Sequence, residues 1–378
     1  MLKLLTKNEL RDEVALVVGT RPGIIKFSPV IRALMKNRVP FFIIHTGQHY
    51  SYNMDRQFFE ELGLVPPRYT NDRVCEEIFH GAQTAEMLRQ IEAALIDSKP
   101  RIVVVGGDAN TNLAGALATR KLGIGLAHME AGLRSNDWRM PEEHNRVMID
   151  HISDVLFAPT EQAKRNLLED NVKGEIHVVG NTIVDAVYQN IDIARQRSKI
   201  LQHLNLRERG YFLLTIHREE NVDREEILLK LVENVEAVLN EYQMKMILPI
   251  HPRTKSRLHR FGFWERVNCL EKLRIIEAVG YLDFLALLKS AAIVLTDSGG
   301  VQEEACVLRV PCITLRENTE RPETVDVGAN RVVGHDIEST LYEIAHHHHN
   351  RRNWLNPYGN GRTGDRIAGI LQGVLTRC

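Results

Sequence analysis

Three carboxylates stand where proton-transfer chemistry needs them, each just after or beyond an apolar strand-like run. Asp108 follows "RIVVVGG", Glu130 follows "GLAHM", and Glu142 comes directly after Pro141 in "MPEEHNR". Each also has a plain structural reading. Asp108 could cap the helix that "NLAGALATRKLG" predicts, the better expectation for an isolated Asp. Glu142 suits the positive end of a helix dipole. Glu130 has the weakest such excuse, because a carboxylate at a strand's end is unusual unless it faces a ligand. Together they predict one crowded acidic edge, where at least one group is pushed toward holding a proton near neutral pH. Arg134, Arg139 and Arg146 are close enough in sequence to neutralise that edge or reach a phosphate.

Other residues suit an anion. In "VVGTRPGIIK" a strand, a tight turn and a helix start bring Arg21 and Lys26 beside orphan N–H groups, although a solvated basic face explains them equally well. The loop lacks the spacings of the dinucleotide and P-loop fingerprints. "LLTIHREEN" sets His217 and Arg218 at a strand end, and "LTDSGGVQEEACVL" predicts a strand, a Ser298-Gly299-Gly300 turn and a helix. Such a turn lets backbone N–H groups approach a phosphate, and Glu304, one helical turn on, suits the two hydroxyls of a ribose. "ENTERPE" adds Arg321.

These residues need a scaffold that ends several strands at one place. "EVALVV", "FFIIHT", "RIVVVGG", "GLAHM", "DVLFAP" and "IHVVG" read as buried strands, with amphipathic helical stretches between them. "YFLLTI", "MKMILPI", "LRIIEAV", "AAIVLTD" and "PCITLR" repeat the plan. Continuous apolar strands alternating with helices predict α/β structure with parallel sheets covered on both faces. The expectation is two Rossmann-like, doubly wound domains: residues 1–181, and residues 182–361, with a helix over 362–378 completing the first. Ligands of such sheets lie beyond the strands' carboxyl ends.

Composition narrows the class. Lys and Arg number 48 against 49 Asp and Glu, so no basic field points to nucleic acid. No apolar run approaches membrane-spanning length, "MLKLLTKNEL" is too short and polar for a signal peptide, and the five cysteines lack CxxC spacing. The expectation is a cytoplasmic protein with no membrane partner.

In order and spacing, "GTRP.IIK", "GD.NT", "H.EAGLRS", "MPEE.NR", "VGNTIVDA", "HREEN", "DSGG.QEEA", "TERPE" and "NPYGNG" together resemble the non-hydrolysing UDP-N-acetylglucosamine 2-epimerases along nearly the whole chain. The resemblance implies a GT-B fold and a UDP-sugar substrate. It also implies a homodimer without cofactor or metal, interconverting UDP-GlcNAc and UDP-ManNAc for cell-surface polysaccharide. The family's route is anti-elimination of UDP to a 2-acetamidoglucal and re-addition. Carried over position by position, it implies Asp108, Glu130 and Glu142 for proton transfer and His217 at the departing diphosphate. Arg21, Lys26, Arg218, Ser298, Gly299, Gly300 and Arg321 fall on UDP contacts, and Glu304 on the ribose.

The chain departs from the family at Gly23, where Glu is usual, at Gly106, where Gln is usual, and at Ala109, where Thr is usual. The nucleotide half is therefore matched more fully than the sugar half. Another UDP-2-acetamido sugar, or hydrolysis of the glycal, stays open as an alternative. More remote readings are a GT-B glycosyltransferase, which releases UDP only to an acceptor, and a UDP-sugar sensor, which binds without turnover.

Overall fold

A computed structural model describes residues 4–48, 52–70, 74, 79–349 and 353–376. The chain divides into two compact units, residues 1–186 with 358–378, and residues 187–357. The division falls inside the helix Thr182–Arg197.

In the first unit, β1 (Arg11–Val18), β2 (Phe41–His45), β3 (Tyr69–Thr70), β4 (Pro100–Gly106), β5 (Gly125–Met129), β6 (Val155–Ala158) and β7 (Glu175–Val178) form one parallel sheet. Its order is β3-β2-β1-β4-β5-β6-β7. Val14 to Val18 are buried along their whole run, because both sheet faces are covered. Ala15, Val17, Val103 and Val105 share a cluster with Met87, Ile91 and Leu113 from the helices His80–Ser98 and Asn110–Leu122. The helix Arg21–Lys36 packs against the helix Thr363–Thr376, which also reaches β1. Gly364 makes that crossing close, since a Cβ there would stand 2.6 Å from the Pro29 carbonyl oxygen.

The second unit holds β8 (Tyr211–Thr215), β9 (Lys245–Pro249), β10 (Leu273–Ile276), β11 (Ile293–Thr296), β12 (Cys312–Thr314) and β13 (Asn330–Val332), all parallel, in the order β10-β9-β8-β11-β12-β13. Its core joins Phe212, Leu214, Met246, Leu248 and Leu295 to Leu228, Leu231 and Val235 of the helix Glu225–Glu241.

Both sheets have the doubly wound order expected, and each reverses direction beside its first strand, between β1 and β4 and between β8 and β11. Every candidate strand of the sequence reading is present. β3 and β13 were not anticipated: one is two residues long, and the other begins with the buried polar Asn330. No helix among the described residues is long and apolar enough to cross a membrane.

Candidate functional site

In the first unit the residues gather at the carboxyl ends of β1, β4 and β5. The helix Arg21–Lys36 starts on Thr20, whose hydroxyl accepts the Gly23 N–H at 3.2 Å. Arg21, at the first helical position, lies over the Phe58 ring, 5.1 Å from its centroid. Lys26 turns inward, and its Nζ donates to Glu130 Oε2 at 2.7 Å. Glu130 is only 7% exposed and takes a left-handed backbone with φ of 64°, uncommon for a residue with a Cβ. Its other oxygen, Oε1, is buried without a hydrogen-bond partner. Gly107, with φ of 93°, lets the neighbouring turn pass beside that carboxylate, for a Cβ there would be 3.2 Å from Glu130 Oε2.

Asp108 does not cap the following helix. Ala109 is the N-cap residue and makes no side-chain bond, while the Asp108 carboxylate binds Arg146. The reason is charge. Arg146 is buried on the helix Pro141–Ile152 and needs carboxylates, so it takes Asp108 and Glu143 together. Asn145 adds a 2.8 Å bond from Nδ2 to the Asp108 carbonyl. Glu142 stands half-buried in the first turn of the same helix. Its neighbour Glu143 does the bracing, accepting from Ser135 N at 3.0 Å and Asn136 N at 3.2 Å. The acidic edge is thus answered by cations, Lys26 at Glu130 and Arg146 at Asp108; of the three arginines expected near it, Arg146 neutralises a candidate carboxylate, while Arg134 turns to Asp150 and Asp170 and Arg139 to Asp137.

A second buried pair supports the turn from behind. His128 is fully buried in β5; its Nε2 donates to the Gly107 carbonyl at 3.0 Å and its Nδ1 faces Asp150 Oδ1 at 2.7 Å. Burial alone would raise the Asp150 carboxyl, but the hydrogen bond and charge of His128, with Arg134, outweigh it and hold the group below the ordinary carboxylate range. Neither residue was singled out from sequence, since a His inside an apolar strand carries no spacing signal.

In the second unit His217 follows β8 and Asp297 follows β11. The Asp297 carboxylate is fully buried and accepts the backbone N–H groups of His217 and Arg218, both at 2.9 Å, while its Oδ1 lies 3.2 Å from His217 Nδ1. This leaves Nε2 of the half-buried ring as the nitrogen turned away from its anchor. Burial pulls the Asp297 carboxyl upward, yet the charge and hydrogen bonds of His217 and its neighbours prevail and hold it below its usual range. Asp297 was missed, although an Asp closing an apolar strand was visible in "LTDSGG".

Ser298 is the N-cap of the helix Gly299–Leu308, but its hydroxyl does not close onto the helix, so the first N–H groups are not taken up by that side chain. Gly299 is required by a close approach: a Cβ there would meet Glu320 Oε1 at 2.5 Å. Gly300 has room around it, with only Ser298 Oγ 4.0 Å from such a Cβ. Under this turn runs a buried ion network. Arg218 meets Glu320 at 3.3 Å, Arg316 meets the other Glu320 oxygen at 2.8 Å, and Arg321 pairs with Glu303. Glu304 is buried beside Glu303 in the helix.

The order of these motifs now has a fold and a geometry to go with it. A family model described as UDP-N-acetylglucosamine 2-epimerase matches residues 32–372. The chain belongs to the UDP-N-acetylglucosamine 2-epimerase family. It is 53% identical over 362 residues to the UDP-N-acetylglucosamine 2-epimerase of Methanocaldococcus jannaschii, covering 95% of this chain and 98% of that one. A crystal structure of the M. jannaschii protein, in complex with UDP-GlcNAc and UDP, matches with a TM-score of 0.91 over 96% of this chain and 99% of that one. A Pseudomonas aeruginosa relative, UDP-2,3-diacetamido-2,3-dideoxy-D-glucuronate 2-epimerase, is 40% identical over 85% of this chain and 88% of its own.

The three departures from the family pattern have distinct physical settings. A Cβ at Gly106 would stand 2.7 Å from the buried Phe27 ring, so that position faces the core in this chain. Ala109 leaves its helix without a side-chain cap. Gly23 is the third helical residue after Thr20, the position that completes a capping box when it is Glu. The first turn holds no acidic residue, and a Cβ at Gly23 would lie 3.1 Å from the Thr20 hydroxyl that it must accompany. Gly23→Glu is expected to raise stability by about 1 kcal/mol, through lost unfolded-state freedom and the dipole. Chemical denaturation measures it. An unchanged kcat and substrate choice in the same variant makes Gly23 neutral drift.

Proposed function

We propose that this protein interconverts UDP-GlcNAc and UDP-ManNAc as a non-hydrolysing 2-epimerase, working as a homodimer in the cytoplasm. The observation that carries the reading is the 53% identity, sustained over 95% of the chain, to the M. jannaschii 2-epimerase. The site geometry supports it. The C2 proton of the sugar has no adjacent carbonyl, so enolisation is closed, and elimination across C1–C2 is the alternative. A base takes the C2 proton, the C2–H electrons form the C1–C2 double bond, and the C1–O bond breaks to release UDP. Re-addition with the proton returned to the other face inverts C2.

Glu130 fits the base, because Oε1 is buried and unpartnered while Lys26 holds Oε2. Asp108 and Glu142 remain for the opposite face. His217, anchored by Asp297 through Nδ1, can present Nε2 to the departing diphosphate. Within the second unit, Arg218 and the N–H groups after Ser298 fit its charge, with Arg321, paired to Glu303, behind them, and Glu304 fits the ribose; in the first unit Arg21 and Lys26 are the cations offered to an anionic substrate.

Incubation with UDP-GlcNAc in deuterated water should place deuterium at C2 and build up UDP-ManNAc, both read by NMR. No incorporation at saturating enzyme overturns the proposal. A second reading, a different UDP-2-acetamido sugar, is favoured by the P. aeruginosa relative at 40% identity. Running the same exchange on a panel that includes the 2,3-diacetamido glucuronate substrate separates the two.

A further inference from the structure

The anchor of His217 does not end at Asp297. Asn221 sits fully buried on the short helix Glu219–Val222, and its Nδ2 donates to Asp297 Oδ2 at 3.2 Å and to the Leu315 carbonyl at 2.9 Å. A carbonyl only accepts, so the amide orientation is determined: nitrogen toward Leu315 and Asp297, oxygen on the other side. That oxygen, Oδ1, lies 2.9 Å from His335 Nε2. An amide oxygen also only accepts, so Nε2 of His335 carries the hydrogen. The tautomer follows from the network and not from any assumption about charge.

We propose that His335 is a positioning residue for His217, acting through the Asn221 amide and the Asp297 carboxylate. The proposal rests on the reading of His217 given above. Without the His335 N–H, Asn221 Oδ1 loses a donor in a buried place, and a flipped amide would set oxygen against the Asp297 carboxylate. The consequence reaches the ring because Asp297 Oδ1 faces His217 Nδ1. Asn221 and His335 are separated by 114 residues in sequence, so the arrangement belongs to the folded unit and not to a local turn.

The surroundings of His335 are mixed. Glu317, largely exposed, lies 3.2 Å from Nδ1, and Lys230 and Arg224 also act on the ring. Burial is the largest influence and lowers the imidazole below its ordinary range; Glu317 opposes that, while Lys230 and Arg224 add to it. A neutral ring with hydrogen on Nε2 keeps the Asn221 bond, and so does the doubly protonated ring.

The test uses the full chain with 15N-labelled histidine, as wild type, His335→Phe and His335→Gln, with His217→Gln to assign the His217 signals. In His335→Phe the His217 ring resonances should move, and kcat should fall about 3- to 10-fold with KM for UDP-GlcNAc within about 2-fold, the scale of one lost buried hydrogen bond. His335→Gln, which keeps a donor, should return both toward wild type. Circular dichroism confirms that each variant is folded; if His335→Phe is not, His335→Gln is compared with His335→Leu. His217 resonances that stay in place in the folded apolar variant overturn the proposal. If His217→Gln itself keeps full kcat, the catalytic role of His217 falls, and the resonance shift still decides whether His335 positions it.

Discussion

Glu130→Gln should abolish C2 exchange while leaving UDP binding intact. The substitution keeps the shape and the acceptor that Lys26 uses at 2.7 Å, and removes only the ability of the buried oxygen to take a proton. A buried carboxylate oxygen without a partner costs stability unless something compensates, and so does a left-handed backbone at a residue with a Cβ. Glu130 has both. Two such costs at one residue, at the end of β5 and beside a glycine turn, are what a group held ready for a reaction looks like. We expect kcat to fall by about 10³-fold or more, the scale of losing a positioned base from an otherwise intact site. Stability should change by less than about 1 kcal/mol, because the lost charge attraction to Lys26 is offset by removal of a buried, half-satisfied carboxylate. Deuterium exchange at C2, titration calorimetry with UDP and denaturant unfolding check the three parts. Retained exchange would move the base to Asp108 or Glu142.

Much of this was legible in the chain because a buried parallel strand reports itself twice, as an apolar run and as a helix that follows. β1, β4 and β5 in the first unit and β8 and β11 in the second, which carry the candidate residues, are of that kind. β13 is different: its Asn330 is held by Gln302 and Thr324, so its burial rests on hydrogen bonds and leaves no hydropathy signal. The candidate residues were visible by type and place, and Arg146 was visible as a cation for the acidic edge, but which group pairs with which was not. Asp108 looked like a helix cap because a cap is a local interaction. Arg146, 38 residues away, is the stronger partner only once the fold brings a buried guanidinium to it. Asp297 escaped for the same reason, since it meets His217 from 80 residues away, and so did Asn221, whose bond to Asp297 spans 76 residues. Gly106 could be flagged as a departure, but only the Phe27 ring beside it says why a side chain does not fit.

Arg146→Met should be among the most destabilising single changes in the first unit. The guanidinium is 2% exposed and binds two carboxylates at once, Glu143 on its own helix and Asp108 on the turn after β4. Methionine fills much of the same volume but leaves Glu143, also 2% exposed, with its charge unpaired. Breaking a buried pair from one side typically costs about 3–5 kcal/mol, far more than the pair contributes relative to apolar replacements of both partners. Part of that is mitigated here, because Ser135 and Asn136 still donate N–H groups to Glu143. We therefore expect a loss near the lower end, about 3 kcal/mol, measured by urea or guanidinium unfolding. Arg146→Lys separates charge from geometry. A lysine restores one positive charge but cannot present a fork to two carboxylates, so stability should return only in part. Its activity should stay low, because Asp108 loses the group that fixes it. The double variant Arg146→Met with Glu143→Gln removes the orphaned charge and should recover about 1–2 kcal/mol of the loss. Arg146→Met within about 1 kcal/mol of wild type would mean that the buried Glu143 and the half-buried Asp108 find protons or water instead, and that Arg146 is not what holds Asp108 in place.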